Sequence, residues 1–410
     1  MRPPRRFIAA TVGLLVLGWL VFAILGHRLA SVIASRAAGV IARMAKGKIA
    51  DPSTFIYERA FDALWLATIL LLLILIFFRL KPRLMRRSRL GSWVWLSILA
   101  FILLNVWVGS AMQRALFWAI LYSGEGSSNY TQFKLKEKLM AEAPPIPRAI
   151  LLGSSQVRAQ IDENLLNREL TDRLWTTELH FPGSAAFDVA LVSRHLRHQR
   201  VDLLISYVSE GYFFSGSSFS TLPYFASFTD VRWFHEIGAD EVYRHRGFYI
   251  GILGSISPLF RSREPIGERI LGKSFTTIKQ MEYNQALETN LVKRAEQAAP
   301  GPKSDKFSDL QKRAFDSFLR EAASRRARVI ILVGQFNPLL GERINPALRP
   351  EMLAFLHDMA RKHQHLTLVE DAPFLRNTVA DYKDLTHISE EAQERFTRGL
   401  ADFLRTSILK

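Results

Sequence analysis

Three apolar stretches near the N-terminus, residues 7–25, 61–78 and about 93–112, constrain this chain more than any other feature. A bilayer crossing needs roughly 20 mostly apolar residues. Each stretch has about that length, so the sequence predicts three transmembrane helices in a membrane domain spanning residues 1–121. No comparable stretch follows Tyr122.

Charge then sets the orientation. The chain of 410 residues carries a formal charge of +16, which on its own invites a nucleic-acid partner. The surplus is local: residues 1–121 hold 16 Lys and Arg against Asp51, Glu58 and Asp62, a net +13 that leaves +3 for the other 289 residues. Arg2, Arg5 and Arg6 precede the first stretch, and Arg79, Lys81, Arg83, Arg86, Arg87 and Arg89 fill the loop between the second and third. The positive-inside rule makes both segments cytoplasmic and everything after the third stretch extracytoplasmic. The sequence thus predicts a multi-pass protein of an inner membrane whose C-terminal part faces a compartment that offers little nucleic acid, so no nucleic-acid partner is expected. A cleaved leader is disfavoured, because the first apolar core of about 19 residues exceeds the 7–15 of a signal peptide and no small-x-small site follows it. With no cysteine in the chain, disulfides, thiolate zinc and a thiol nucleophile are excluded.

Between the first two stretches, Leu29, Val32, Ile33, Val40, Ile41 and Met44 recur at helical spacing, which fits a helix lying on the outer membrane face or against a partner protein. After the third, "GEGSSN" and "APPIP" bracket residues 122–146, expected as a linker. From residue 147 short apolar runs, "RAILLG", "VDLLISYV", "RVIILVG" and "HLTLVE", alternate with amphipathic segments. Continuous apolar runs are the mark of strands covered on both faces, so residues 147–410 are predicted as an α/β domain with a doubly wound parallel sheet. An aromatic-rich and helical insertion is expected at about 211–320, its rings either lining a sugar groove or packing the insertion onto the core or the membrane.

Two places could carry chemistry. "LLGSSQVRAQID" follows the first apolar run, where a serine at a helix start is either a cap or a nucleophile backed by backbone N–H groups. "DYKDLTHISEEAQERF" supplies Asp384 and His387, a base and a group to orient it, or alternatively only a helix start capped by Ser389. His195 and His198 are spaced like metal ligands but lack a third, and read better as a solvated helix face. Arg158 could meet an anionic substrate or make an ion pair.

With these stretches the chain resembles the SGNH (GDSL-like) hydrolase superfamily over about residues 147–410, and within it the membrane-anchored cell-envelope branch that includes the D-alanine transfer protein of teichoic-acid modification and the alginate acetylation proteins. "LLGSSQVRAQID" resembles the first block, which implies Ser155 as nucleophile and as a backbone oxyanion donor. "HFPGSAAFDVALVSRHL" resembles the second and implies Gly183 as another donor, while "DLTHIS" implies Asp384 and His387 as the rest of a triad. The Gly-x-Asn-Asp of the third block is replaced by "SYVSEGYFF", leaving Ser209 or Asn337 as candidate side-chain donors. The resemblance implies a membrane-anchored acyltransferase or esterase that acts on an envelope or exported polysaccharide, with O-acetylation as the expected modification, no cofactor and no metal. It further implies a membrane-bound O-acyltransferase partner that delivers the acyl group. A non-catalytic glycan-binding or docking subunit is the alternative.

The orientation is tested by fusing after Lys410 a reporter active only in the cytoplasm. It is expected to be silent; activity there would overturn the topology.

Overall fold

The structure, a computed structural model, describes residues 100–102, 104–122, 129–140, 145–214, 219–271, 306–342 and 344–409. The chain divides into two compact units, Met1–Val106 and Trp107–Lys410. The apolar stretches 7–25 and 61–78, the amphipathic segment between them and the start of 93–112 lie outside the described residues. Among the described residues no helix is long and apolar enough to cross a membrane. Residues 104–111, the end of the third stretch, are helical.

The second unit is built on a parallel sheet of five strands, β1 (Arg148–Gly153), β2 (Trp175–His180), β3 (Leu203–Val208), β4 (Arg328–Val333) and β5 (Leu366–Val369). Their order is β2-β1-β3-β4-β5. Because successive side chains of a strand point to opposite faces, each apolar run feeds two cores. Ile150, Leu152, Leu204, Val329 and Ile331 enter one. Ala149, Leu151, Leu203, Ile205, Ile330 and Leu332 enter the other.

Helices cover both faces, as the sequence predicts. Numbered along the chain, α1 is Ala115–Leu121, α2 Asn129–Leu139, α3 Ser155–Gln160, α4 Glu163–Glu169, α5 Ala186–His195, α6 Arg246–Ile256, α7 Asp309–Ser324, α8 Leu348–Lys362 and α9 Glu390–Phe403. Residues of α2, α5, α7 and α8 join the first core, and residues of α3, α4 and α9 the second. The chain leaves β1 for β2 at one edge and then returns past β1 to β3. That reversal puts the switch of strand order at β1 and β3, and the carboxyl ends of strands at such a switch are where these sheets hold their sites.

Three elements differ from expectation. The edge strand β2 is hidden in the sequence because Thr176, Thr177, Glu178 and His180 interrupt its apolar pattern, yet it pairs with β1 along its whole length. The expected linker contains α2, whose Tyr130 and Phe133 are buried against Tyr224 and Phe225, with ring centroids 4.9 and 5.1 Å apart. Flanking Gly, Ser and Pro masked its helical spacing. Within the expected insertion, α7 is the crossover helix between β3 and β4, buried along Leu310, Ala314, Phe315, Phe318 and Ala322. Of the insertion's aromatics, Tyr212, Phe213, Phe225, Trp233 and Phe234 are core residues, whereas Phe228 and Tyr249 are exposed. Asp188 ties the insertion down: buried at the start of α5, it accepts hydrogen bonds from the Thr221 amide at 2.8 Å and hydroxyl at 2.6 Å.

Phe396 of α9 is fully buried, with its ring against Phe374 and Tyr207. Phe396→Ala is expected to lower unfolding free energy by about 3–5 kcal/mol. Denaturant unfolding followed by circular dichroism checks this; a loss under about 1 kcal/mol would contradict the packing of α9.

Candidate active site

The turn after β1 separates its two serines. Ser154 has extended backbone angles and caps α3, its hydroxyl accepting the Gln156 amide at 3.2 Å. Ser155 is therefore the first residue of the helix, and its own N–H has no acceptor within that helix. The cap and the nucleophile, alternatives for one serine in the sequence, are the roles open to two adjacent ones. Gly153 just before them has an ordinary negative φ, and what its position demands is space, since a Cβ there would lie 2.5 Å from Cγ2 of Val157.

The partner loop is wound as tightly. Lys383 and Asp384 amides both donate to the His387 carbonyl, at 3.0 and 3.4 Å, the Ser389 amide donates to the Asp381 carbonyl at 2.7 Å, and Tyr382 bridges to Ile388. Asp384 faces inward across this turn. Its Oδ1 accepts the amides of Thr386 and His387, both at 2.7 Å, which leaves Oδ2 to accept Nδ1–H of His387 at 2.7 Å. Ser389 caps α9 as the simpler reading of the sequence has it, with the Ala392 amide at 3.3 Å. His387 is nevertheless engaged.

Ser155 and His387, 232 positions apart in sequence, meet. The Ser155 hydroxyl lies 2.9 Å from Nε2 of His387. With Nδ1 carrying its proton toward a carboxylate, the neutral imidazole presents a lone pair at Nε2, so Ser155 Oγ–H is the donor. The chain Ser155–His387–Asp384 has the geometry of a nucleophile, a general base and the group that fixes its tautomer.

Burial pushes the Asp384 carboxyl up, but the His387 hydrogen bond and charge and the two backbone amides outweigh it, and the net shift is downward. A second acidic group flanks the site at the end of β2, where His180 pairs with Gly153 of β1 in register. Burial disfavours the Glu178 carboxylate, but His180, Lys136 and Arg158 hold it down at about 2. Lys136 is also paired with Glu163. The Arg158 side chain is exposed and makes no ion pair among the described residues.

The remaining candidates fall as follows. Gly183 follows β2 with φ +71°, a left-handed conformation that favours glycine, at the same carboxyl edge as Ser155. Asn337 is buried and braces the partner loop: its Nδ2 donates to the Asp384 carbonyl at 3.2 Å and its Oδ1 accepts the Leu339 amide at 3.0 Å. Ser209 is fully buried and donates to Oε1 of Gln156 at 2.9 Å. His195 binds Asp230 at 3.2 Å beside Arg194, so its helix face is a paired one, and only His198 is exposed. Among the described residues no three His, Asp or Glu side chains cluster as metal ligands. Sequence reasoning missed Thr386 and Gln156, which act through backbone amides and a buried amide side chain. Comparison with known proteins found no family model that matches the chain and no matching curated protein.

The low Asp384 pKa has a signed consequence. A carboxyl depressed on folding stabilises the folded state above its unfolded value near 3.8, and the contribution fades as pH falls toward the folded value. Urea unfolding should show the stability margin of wild type over Asp384→Asn steady at neutral pH and shrinking below about pH 4. A margin that grows on acidification would contradict the contacts that hold Asp384 ionised.

Proposed function

We propose that this chain is a membrane-anchored, SGNH-like serine acyltransferase or esterase of the bacterial cell envelope, acting on a polysaccharide through an acyl-serine intermediate. The observation that carries the proposal is the contact of Ser155, His387 and Asp384 at the carboxyl edge of a parallel sheet. His387 takes the hydroxyl proton as Oγ of Ser155 attacks the acyl carbonyl. It returns that proton to the leaving group, and in the second half deprotonates the acceptor, a sugar hydroxyl or water. Asp384 stays ionised and stabilises the imidazolium. The backbone N–H groups of Ser155 and Gly183 serve the tetrahedral oxyanion.

The anchoring part of the proposal rests on the apolar stretches and their basic flanks, and the resemblance in the first, second and last sequence blocks supports the superfamily. Acetyl is the expected group, supplied by an O-acyltransferase partner in the same membrane. The engagement of Ser209 with Gln156 and of Asn337 with the Asp384 carbonyl favours a second reading, a docking subunit with a disabled site, because both candidate side-chain donors already hold other partners.

The two serines give the discriminating pair. Ser155→Ala is expected to remove labelling by a serine-directed fluorophosphonate and to cut polymer acylation by on the order of 10⁶, with the protein still in the membrane. Ser154→Ala is expected to lower stability by about 1 kcal/mol as a lost cap and to retain the label. Wild-type protein that resists the phosphonate would place the docking reading first.

A further inference from the structure

Helix α6 (Arg246–Ile256) is built inside out. Its buried residues are Gly247, Gly251 and Gly254, which form one stripe at i, i+4 and i+7. That stripe lies on the short helix Leu222–Phe225, so close that a Cβ on Gly251 would run into the Leu222 carbonyl and the Ala226 side chain. Arg261 clamps the contact, its Nη2 donating to the carbonyls of Ala226 and Gly251, both at 3.3 Å.

The opposite face carries Tyr249, Ile252, Leu253 and Ile256, at i, i+3, i+4 and i+7. Tyr249 is 57% and Ile256 64% exposed, and none of the four joins either core. A helix on a water-facing domain buries its apolar stripe against the core, and α6 does the reverse. An exposed apolar stripe of this kind marks a contact with protein or with membrane.

Three observations select the membrane. The first is position: Gly109, near the end of the third apolar stretch, packs where a Cβ would lie 3.0 Å from Cγ of Pro258, just beyond α6. Trp107 on the same segment is 64% exposed. The second is charge: between Glu241 and Glu264 the chain has no acidic residue, while Arg244 and Arg246 precede the apolar run and Arg261 and Arg263 follow it. Basic flanks around an apolar face suit a helix lying at a phosphate surface. The third is a cavity of about 360 Å³ at the same edge, lined in part by Met112, Gln113, Lys134, Lys138, His198 and Arg261. Glu137 in its wall is paired with Lys134, and Lys138 makes no ion pair among the described residues. A bilayer supplies hydrocarbon for the stripe and phosphate for the cations together. With 11 residues, α6 is about 16 Å long, half of the roughly 30 Å of a hydrocarbon core, so it can lie along the surface but not cross it.

We propose that α6 is an interfacial helix seated in the outer leaflet, with Tyr249, Ile252, Leu253 and Ile256 among the acyl chains and the flanking arginines at the lipid phosphates. The outer side rests on the membrane anchoring and topology proposed above, and the lipid contact on the helix itself.

The chain has no cysteine, so single-cysteine variants of the full protein can each carry one nitrobenzoxadiazole probe in phosphatidylglycerol and phosphatidylethanolamine vesicles. At Tyr249→Cys and Ile256→Cys the probe is expected to lose most of its emission to a nitroxide high on the lipid acyl chain, and little to iodide in the water. At Asp402→Cys, exposed on α9 at the other face of the sheet, the reverse is expected. Tyr249→Cys removes a hydrogen bond to the Tyr243 carbonyl, whereas Ile256→Cys removes none from a side chain and guards against local disturbance. Iodide quenching at both positions, or shielding from both quenchers as burial against protein would give, overturns the proposal. Trp107→Cys keeps the two claims apart. Lipid quenching there with iodide quenching at Tyr249→Cys and Ile256→Cys defeats only the interfacial helix, and iodide quenching at Trp107→Cys alone defeats only the span.

Discussion

Helix α9 against α3 and α4 is the interaction on which the site depends. Phe396, Leu400 and Leu404 share one core with Val157, Ile161 and Leu166. Two hydrogen bonds set the register: Gln393 donates to the Arg158 carbonyl at 2.6 Å, and Thr397 accepts the Asp162 amide at 3.0 Å. The loop bearing Asp384 and His387 runs directly into α9, while Ser155 starts α3. Apolar burial thus brings together two ends of the domain that sequence separates, and the polar contacts make the approach specific.

From that packing the chemistry follows locally. The tight turn from Asp381 to Ser389 aims both oxygens of Asp384, one at backbone amides and one at the imidazole, so the tautomer of His387 is settled without substrate. Asn337 braces the same turn from the end of β4. Ser154 completes the arrangement by taking the capping task, which leaves the Ser155 hydroxyl to His387.

Much of this was legible in the sequence because it depends on local pattern. Four strands are continuous apolar runs, and Gly-Ser-Ser after the first of them falls where a strand meets a helix. The Asp384–His387 spacing suits one loop. What was not legible depends on long-range contact. Nothing in "GSSQ" says which serine caps, since that is fixed by the backbone angles of one residue. Strand β2 owes its place to pairing with β1 and not to its own hydrophobicity. Helix α2 is defined by the rings of the insertion that bury Tyr130 and Phe133. Asn337 looked equally suited to an oxyanion, and only its contact with the Asp384 carbonyl gives it a positioning role.

The central claim is that Ser155 carries the acyl group. Mixing the full-length protein with nitrophenyl acetate, quenching in acid and mapping peptides by mass spectrometry tests it most directly. An acetyl adduct on the Ser155 peptide, formed with a burst of nitrophenol and slowed by about 10⁴ in Asp384→Asn, is the predicted result. An adduct on any other side chain, or none in the wild-type protein, would contradict the account.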